Sequence, residues 1–243
     1  MTLLPNTFVK ISGIRTNGTN GTSGLHIRVP NRFLIWGGHG WIAGLLKDLL
    51  HHQGKEVYTT TIRMEHRDDV AKALEGFKPT HVLNAAGCTG RPNVDWCEDN
   101  KAQTVRSNVV GTLTLADECD KRGIHCTVFA TGCIYHFKNV LIFRLRMPVS
   151  DDLNPRNFVT KISKYEFIVD MPNSNTILHD LLQASIILAE NKDTGVYNLT
   201  NPGAISHNEV LGLFKEIVRP GFTWKNFSIE DQARVIKAGR SNC

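Results

Sequence analysis

Between Trp36 and Leu45 the chain reads Gly37-Gly38-His39-Gly40-Trp41-Ile42-Ala43-Gly44. Types and spacing here suit a pyrophosphate. Gly37 permits a tight turn, Gly40 lets a phosphate approach the backbone, and Ala43 lets a helix pack closely while its first N–H groups face the anion. Gly38, His39, Trp41 and Ile42 complete this candidate cofactor-binding segment. Where an acid would take the ribose hydroxyls of NAD stand Thr59, Thr60, Thr61 and Arg63 instead. A guanidinium there suits the extra phosphate of NADP, so NADPH is the expected cofactor and NADH the alternative. Asn84-Ala85-Ala86-Gly87 offers small residues where bulk would obstruct a flat cofactor, and Arg91 and Asn93 follow as candidate substrate contacts, Arg91 able to pair with a phosphate. The six cysteines contain no C-x-x-C pair and no His partner at zinc spacing, so neither a metal site nor a disulfide framework is expected.

These residues need rigid supports. Arg32-Phe33-Leu34-Ile35-Trp36 is a short apolar run bounded by glycine, as a buried parallel strand should be. Leucines at helical spacing then run to Gly54, a closing glycine that marks a C-cap. Lys55 to Thr60 reads as the next strand, a helix ends near Gly76, and His81 to Gly87 is a third strand. The alternation βαβαβ predicts an α/β fold with a doubly wound parallel sheet.

With 243 residues and 41% hydrophobic content, the chain can bury the core of one large or two small domains. The net charge of +5 arises before Asp48, the first acid, so the rest is close to neutral and no nucleic-acid face is expected. No apolar run approaches the roughly 18 residues of a membrane span, and no secretory signal is visible. A soluble, cytoplasmic protein with no membrane association is expected. Residues 1–29 read as a flexible tail around Asn17-Gly18-Thr19-Asn20-Gly21-Thr22, with a transit peptide as the alternative.

Several blocks recur in one order: Asn84 to Gly87, Arg91 to Glu98, Asn108 to Thr112, Ala130-Thr131-Gly132-Cys133-Ile134-Tyr135, Arg144 to Pro148, Asn154 to Lys161, Asn198 to Gly203 and Phe222 to Phe227. In these blocks the chain resembles the extended short-chain dehydrogenase/reductase family. Within it the chain is similar to the nucleotide-rhamnose synthase group and to dTDP-4-dehydrorhamnose reductases, over about residues 32–242. The resemblance implies a Rossmann-like dinucleotide-binding domain over 30–146 and a substrate-binding region over 147–243. It also implies a UDP- or dTDP-linked 4-keto-6-deoxyhexose as substrate, NADPH as reductant, and homodimers. In the group a Cys and a Lys exchange protons beside the 4-keto carbon, and these match Cys133 and Lys161. Thr131 matches the Ser or Thr that bonds the reacting oxygen, and Arg156 a substrate contact. Asn108 is expected to fix backbone near the site, and Asn198, Asn201 and His207 to be structural.

One family element is missing. Hydride chemistry in the family uses a Tyr and a Lys four residues later; the residues four after Tyr58, Tyr135, Tyr165 and Tyr197 are Ile62, Asn139, Val169 and Asn201. Independently, Cys126 to Ala130 and Val140 to Arg144 read as neighbouring parallel strands, yet a parallel crossover needs a dozen or more residues, normally with a helix. A crossover helix of the usual βαβ unit, roughly forty residues with its loop, is therefore expected to be absent after Phe137. The homodimer face, carried by that helix in the family, is then in doubt, and the sheet beneath it is expected to be exposed. The reductase step is expected to be lost while epimerisation remains open. The alternatives are a truncated gene product and a non-catalytic paralogue that binds NADP and nucleotide sugar.

Overall fold

The computed structural model describes residues 30–90, 94–130 and 139–235, apart from the side chains at 233 and 235. In chain order the elements are β1 (Arg32–Trp36), α1 (Trp41–His52), β2 (Glu56–Thr60), α2 (Arg67–Phe77), β3 (His81–Asn84), α3 (Asp95–Asp99) and α4 (Lys101–Val105). A π-helical turn over Arg106–Val110 leads into α5 (Gly111–Lys121), then β4 (His125–Ala130), β5 (Val140–Leu145), β6 (Pro148–Val149), α6 (Phe158–Ile162) and β7 (Phe167–Ile168). The last elements are β8 (Thr176–Ile177), α7 (Leu178–Glu190), β9 (Gly195–Leu199), α8 (His207–Ile217), β10 (Lys225–Asn226) and α9 (Ile229–Val235).

Six strands form one parallel sheet in the order β2-β1-β3-β4-β5-β9. The expected doubly wound α/β fold is present. Alternation along the strands gives the sheet two apolar faces. Leu34, Trp36, Val82, Cys126, Val128, Val140 and Ile142 pack against Val70 and Leu74 of α2 and Leu115 and Cys119 of α5. Phe33, Ile35, Leu83, Leu141, Phe143 and Leu145 pack against Leu46 and Leu50 of α1 and Leu178, Leu182 and Ile186 of α7. Each such side chain contributes about 1.5–3 kcal/mol when fully buried. The strand order reverses between β1 and β3, and a crevice opens at the C-terminal ends of such a pair.

After Met147 the chain does two things. α7 and β9 complete the sheet, while Phe158 and Ile162 of α6, Ile168, Leu211 of α8 and Phe222 form a separate cluster. Ser206 caps α8 and exchanges hydrogen bonds with Glu209, so His207 begins a helix as its sequence context suggests.

Strands β4 and β5 are parallel neighbours joined by nine residues, of which 131–138 lie outside the described set. The expectation that the sheet would be exposed here is corrected. Val140 and Ile142 of β5 are only 3% and 1% exposed, within the cluster that α5 covers. No described helix is long and apolar enough to cross a membrane.

At the opposite end of the sheet His81 and His125 are buried edge to face, each with Nε2 lacking a hydrogen-bond partner among the described residues. Burial, reinforced by the neighbouring His125, pushes the His81 pKa down to about 4 from 6.5, and burial lowers that of His125. Because the folded value lies below the unfolded one, the unfolded chain binds the extra protons. Stability is therefore full above about pH 6.5 and falls as pH drops toward 4, by ~3 kcal/mol for His81 alone. Urea unfolding midpoints should fall across that window, and His81→Phe should flatten the fall. An unchanged slope would contradict the assignment.

Candidate functional site

The glycine turn is built by backbone packing. Gly37 has φ of +85°, and a Cβ on it would stand 2.8 Å from both Cα and N of Ala86. The N–H groups of Gly37 and Gly38 both donate to the carbonyl of Thr60 at 3.0 Å, tying the turn to the end of β2. Gly40 N-caps α1 without any side-chain cap, and the first turn carries no acid. Its N–H groups, at the positive end of the helix dipole, are left for an anion.

A cleft of about 640 Å³ opens at the ends of β1 and β3. Gly37, His39 and Gly40 line one end; Thr61 to Glu65, Ala85 to Gly90, Trp96, Gln103, Ser107 and Arg156 line the rest. The loop after β2 is held there by Trp36, whose indole N–H donates to the carbonyl of Ile62 at 2.7 Å. Asn108 clamps the Cys88 peptide, accepting from its N–H at 2.7 Å and donating to its carbonyl at 2.8 Å. That matches its expected backbone-fixing part.

Sequence reasoning missed Glu65. No acid follows β2 directly, but five residues on this carboxylate enters the cleft and pairs with the Arg63 guanidinium at 2.8 Å. Partial burial works to raise the Glu65 pKa, and donation from its backbone and from Arg63 outweighs it, holding the group below the usual carboxylate range. A groove beside the cleft shares Thr61 and Arg63 with it and adds His66, Asp69 and Lys72. The cation expected from sequence is therefore present, but partly engaged.

The other expected residues divide. Gly37, His39, Gly40, Arg63, Ala85, Ala86, Gly87 and Arg156 meet in the cleft. The side chain of Asn84 does not: it is 1% exposed and its Oδ1 accepts from the N–H of Ala86 at 3.0 Å, shaping the turn from beneath. Gly38 packs against Thr59, while Trp41 and Ile42 lean on the α1–α7 core. Lys161 is exposed on α6 and does not line the cleft. Thr131, Cys133, Arg91 and Asn93 lie outside the described residues.

Arg156 is carried by a loop fixed from inside. Asn157 is 2% exposed, donates to the carbonyls of Ser150 (2.7 Å) and Asp152 (2.8 Å), and accepts from the N–H of Val159 at 3.1 Å, which N-caps α6. Asn201 accepts from the N–H of Ile177 at 2.8 Å, a structural part as expected.

Against known proteins, the NAD dependent epimerase/dehydratase family matches residues 33–157. A bifunctional dTDP-4-dehydrorhamnose 3,5-epimerase/dTDP-4-dehydrorhamnose reductase of Arabidopsis thaliana is 46% identical over 250 aligned positions, covering 86% of this chain and 83% of the relative. Since 86% of 243 residues is about 209, about 40 aligned positions of that relative have no counterpart here. The chain spans 39% of the length of a trifunctional Arabidopsis relative that it also matches. The crystal structure of a UDP-rhamnose synthase from Acanthamoeba polyphaga mimivirus superposes with a TM-score of 0.82 at 34% identity, covering 88% of this chain and 90% of that one. A dTDP-4-dehydrorhamnose reductase from Bacillus anthracis, solved in complex with NADP, superposes with a TM-score of 0.71 at 16% identity, a likeness of fold alone.

Proposed function

The chain belongs to the NAD dependent epimerase/dehydratase family, and from that premise we propose that it binds NADP(H) together with a UDP- or dTDP-linked 4-keto-6-deoxyhexose of nucleotide-rhamnose biosynthesis. The carrying observation is one cleft that joins an uncapped, acid-free helix start to Arg156 from the loop before α6. The residues fit a dinucleotide. Gly37 leaves no room for a side chain between turn and sheet, so the backbone itself forms the cradle.

NADPH, when bound, is the group that would supply a hydride to the C4 carbonyl wherever the reducing residues are complete. The first turn of α1 neutralises the pyrophosphate, Thr61 and Arg63 with Lys72 receive the adenosine phosphate, and Glu65 orients Arg63. Arg156 pairs with the diphosphate of the sugar nucleotide. Beside the 4-keto group a C–H proton at C3 or C5 is acidified. By the family resemblance Cys133 and Lys161 are the pair, one removing that proton and the other delivering a solvent-derived proton to the opposite face. Lys161, outside the cleft here, must approach when the sugar nucleotide binds. Thr131 bonds the reacting oxygen.

Reduction itself is not assigned to this polypeptide. No Tyr-x-x-x-Lys occurs in the chain, so the group that would protonate the C4 oxygen and the lysine that would hold the nicotinamide ribose are both absent. That reading rests on the residues four after each tyrosine, Ile62, Asn139, Val169 and Asn201. The same missing pair motivates a second reading, a non-catalytic NADP and nucleotide-sugar binder, in either case acting in the cytoplasm.

Deuterium wash-in from heavy water separates the two. Incorporation into UDP-4-keto-6-deoxyglucose, read by mass spectrometry, is the epimerase result; binding without incorporation is the non-catalytic one. A folded sample that binds neither nucleotide would contradict both. For the cofactor, Arg63→Ala should weaken NADPH about 10–100-fold, the loss of one charge-assisted bond of ~1.5–3 kcal/mol, while NADH changes little. Equal weakening of both, by fluorescence titration, would remove Arg63 from the phosphate.

A further inference from the structure

Two elements far apart in sequence meet beside the cleft. Trp41 is the first residue of α1, directly after the glycine turn, and Asp152 lies in the loop that carries Arg156. The indole N–H of Trp41 donates to Asp152 Oδ2 at 2.6 Å across 111 positions of sequence. The other oxygen of Asp152 accepts from the N–H of Asn154 at 3.1 Å, so the carboxylate is locked by its own loop on one side and by the helix on the other. Asn157 then holds the Asp152 carbonyl at 2.8 Å and starts α6. The chain of contacts runs from Trp41 through Asp152 and Asn157 to the backbone on either side of Arg156.

Burial works to raise the Asp152 pKa, but donation from Trp41, from Ser150 and from the Asn154 backbone prevails and lowers it. The accepting group is therefore a carboxylate at neutral pH, and an indole N–H donating to a carboxylate is a charge-assisted bond. Trp41 itself is half-buried against the α1–α7 core, so its ring cannot swing away without uncovering apolar surface.

Resting on the nucleotide-binding reading above, we propose that the Trp41–Asp152 hydrogen bond couples the glycine turn to the Arg156 loop, so that dinucleotide and sugar nucleotide bind cooperatively. Anion binding at the helix start fixes Trp41, Trp41 fixes Asp152, and Arg156 is thereby presented to the second diphosphate. Trp41 and Asp152 are positioning residues, not catalytic ones.

The test measures the Kd of NADPH by fluorescence titration with and without saturating UDP, with dTDP as a parallel arm, and takes the ratio as the coupling factor. Any direct effect of a substitution on NADPH affinity cancels in that ratio. The intact chain should show a factor of about 5–10, within the usual range of coupling energies. Trp41→Phe, which keeps a ring in the core and removes the donor, should bring the factor close to one. Asp152→Asn, which keeps the volume and loses the charge, should lower it partway, and it decides the question should Trp41→Phe not fold. A double variant should match Trp41→Phe. An unchanged factor in folded Trp41→Phe or Asp152→Asn, or a factor of one in the intact chain with both ligands bound, overturns this proposal alone. Failure of the folded intact chain to bind either nucleotide overturns the functional reading and the coupling with it.

Discussion

Replacing Gly37 by alanine is expected to lower the melting temperature by about 6–12 °C and to weaken NADPH binding more than 100-fold. Two costs add. An L-residue at φ of +85° carries roughly 1–2 kcal/mol of backbone strain. The new Cβ would lie 2.8 Å from the Ala86 backbone, and overpacking against an immovable chain costs about 1–3 kcal/mol. Near ~3 kcal/mol in all, at about 2–4 °C per kcal/mol for a chain of this size, gives the stated range. Affinity falls further because relief of the clash must move the turn away from the end of β3, and the cradle is made of that contact. Gly54→Ala is the control. It has φ of +67° but nothing within 4 Å of the added Cβ, so it should cost ~1–2 kcal/mol and leave NADPH affinity alone. Thermal melts and titrations of both variants check this; Gly37→Ala behaving like Gly54→Ala would refute the backbone cradle.

Asn157→Ala is expected to cost about 3 kcal/mol and to weaken UDP binding about 100-fold, with NADPH less affected. The side chain is 2% exposed and makes three hydrogen bonds, donating to two loop carbonyls and accepting from the N–H of Val159, the second residue of α6. Leaving buried partners unsatisfied costs ~1–3 kcal/mol each, tempered by whatever water reaches them. The functional loss follows from position: Arg156 and Lys161 flank this residue, and both lose their backbone frame. Asn157→Asp keeps the cap acceptor and loses the two donors, so urea unfolding should place it between the intact chain and the alanine variant. Calorimetric titration with UDP reads the affinity. A wild-type UDP affinity in Asn157→Ala would show that the loop does not carry the sugar nucleotide.

The central strands were legible because a parallel strand buried on both faces has no polar alternation: Phe33 to Trp36 and His81 to Leu83 read as continuous runs bounded by glycine and small residues. Edge strand β9 was not. Its Gly195 to Leu199 exposes most of its side chains, so no apolar run announced that this segment returns to the sheet. The glycine turn was legible from its glycines together with their place between a buried strand and an amphipathic helix, since only backbone is needed there. Asn84 was read as a cofactor contact from its place in a motif, whereas strand alternation turns it inward to hold Ala86. Glu65 was hidden because it stands five residues past β2, beyond the position where a ribose-binding acid is expected, and only the Trp36 contact to Ile62 shows that the following loop lines the cleft. Arg156 came from the family resemblance rather than from any local pattern. The Trp41–Asp152 contact spans 111 positions and has no local signature at all. Exposure of the sheet at β5 was predicted from a missing crossover helix, and the burial of Val140 and Ile142 corrects it.

The proposed function divides the labour: cofactor and keto sugar would share one cleft in a chain that has no Tyr-x-x-x-Lys. The direct measurement is to mix the purified protein with NADPH and UDP-4-keto-6-deoxyglucose, following cofactor binding by fluorescence and oxidation by absorbance in the same sample. Saturable binding of NADPH with no oxidation beyond the protein-free rate is the predicted result. Oxidation at an ordinary enzymatic turnover of ~1 per second or faster, or no binding of NADPH by folded protein, would contradict the account.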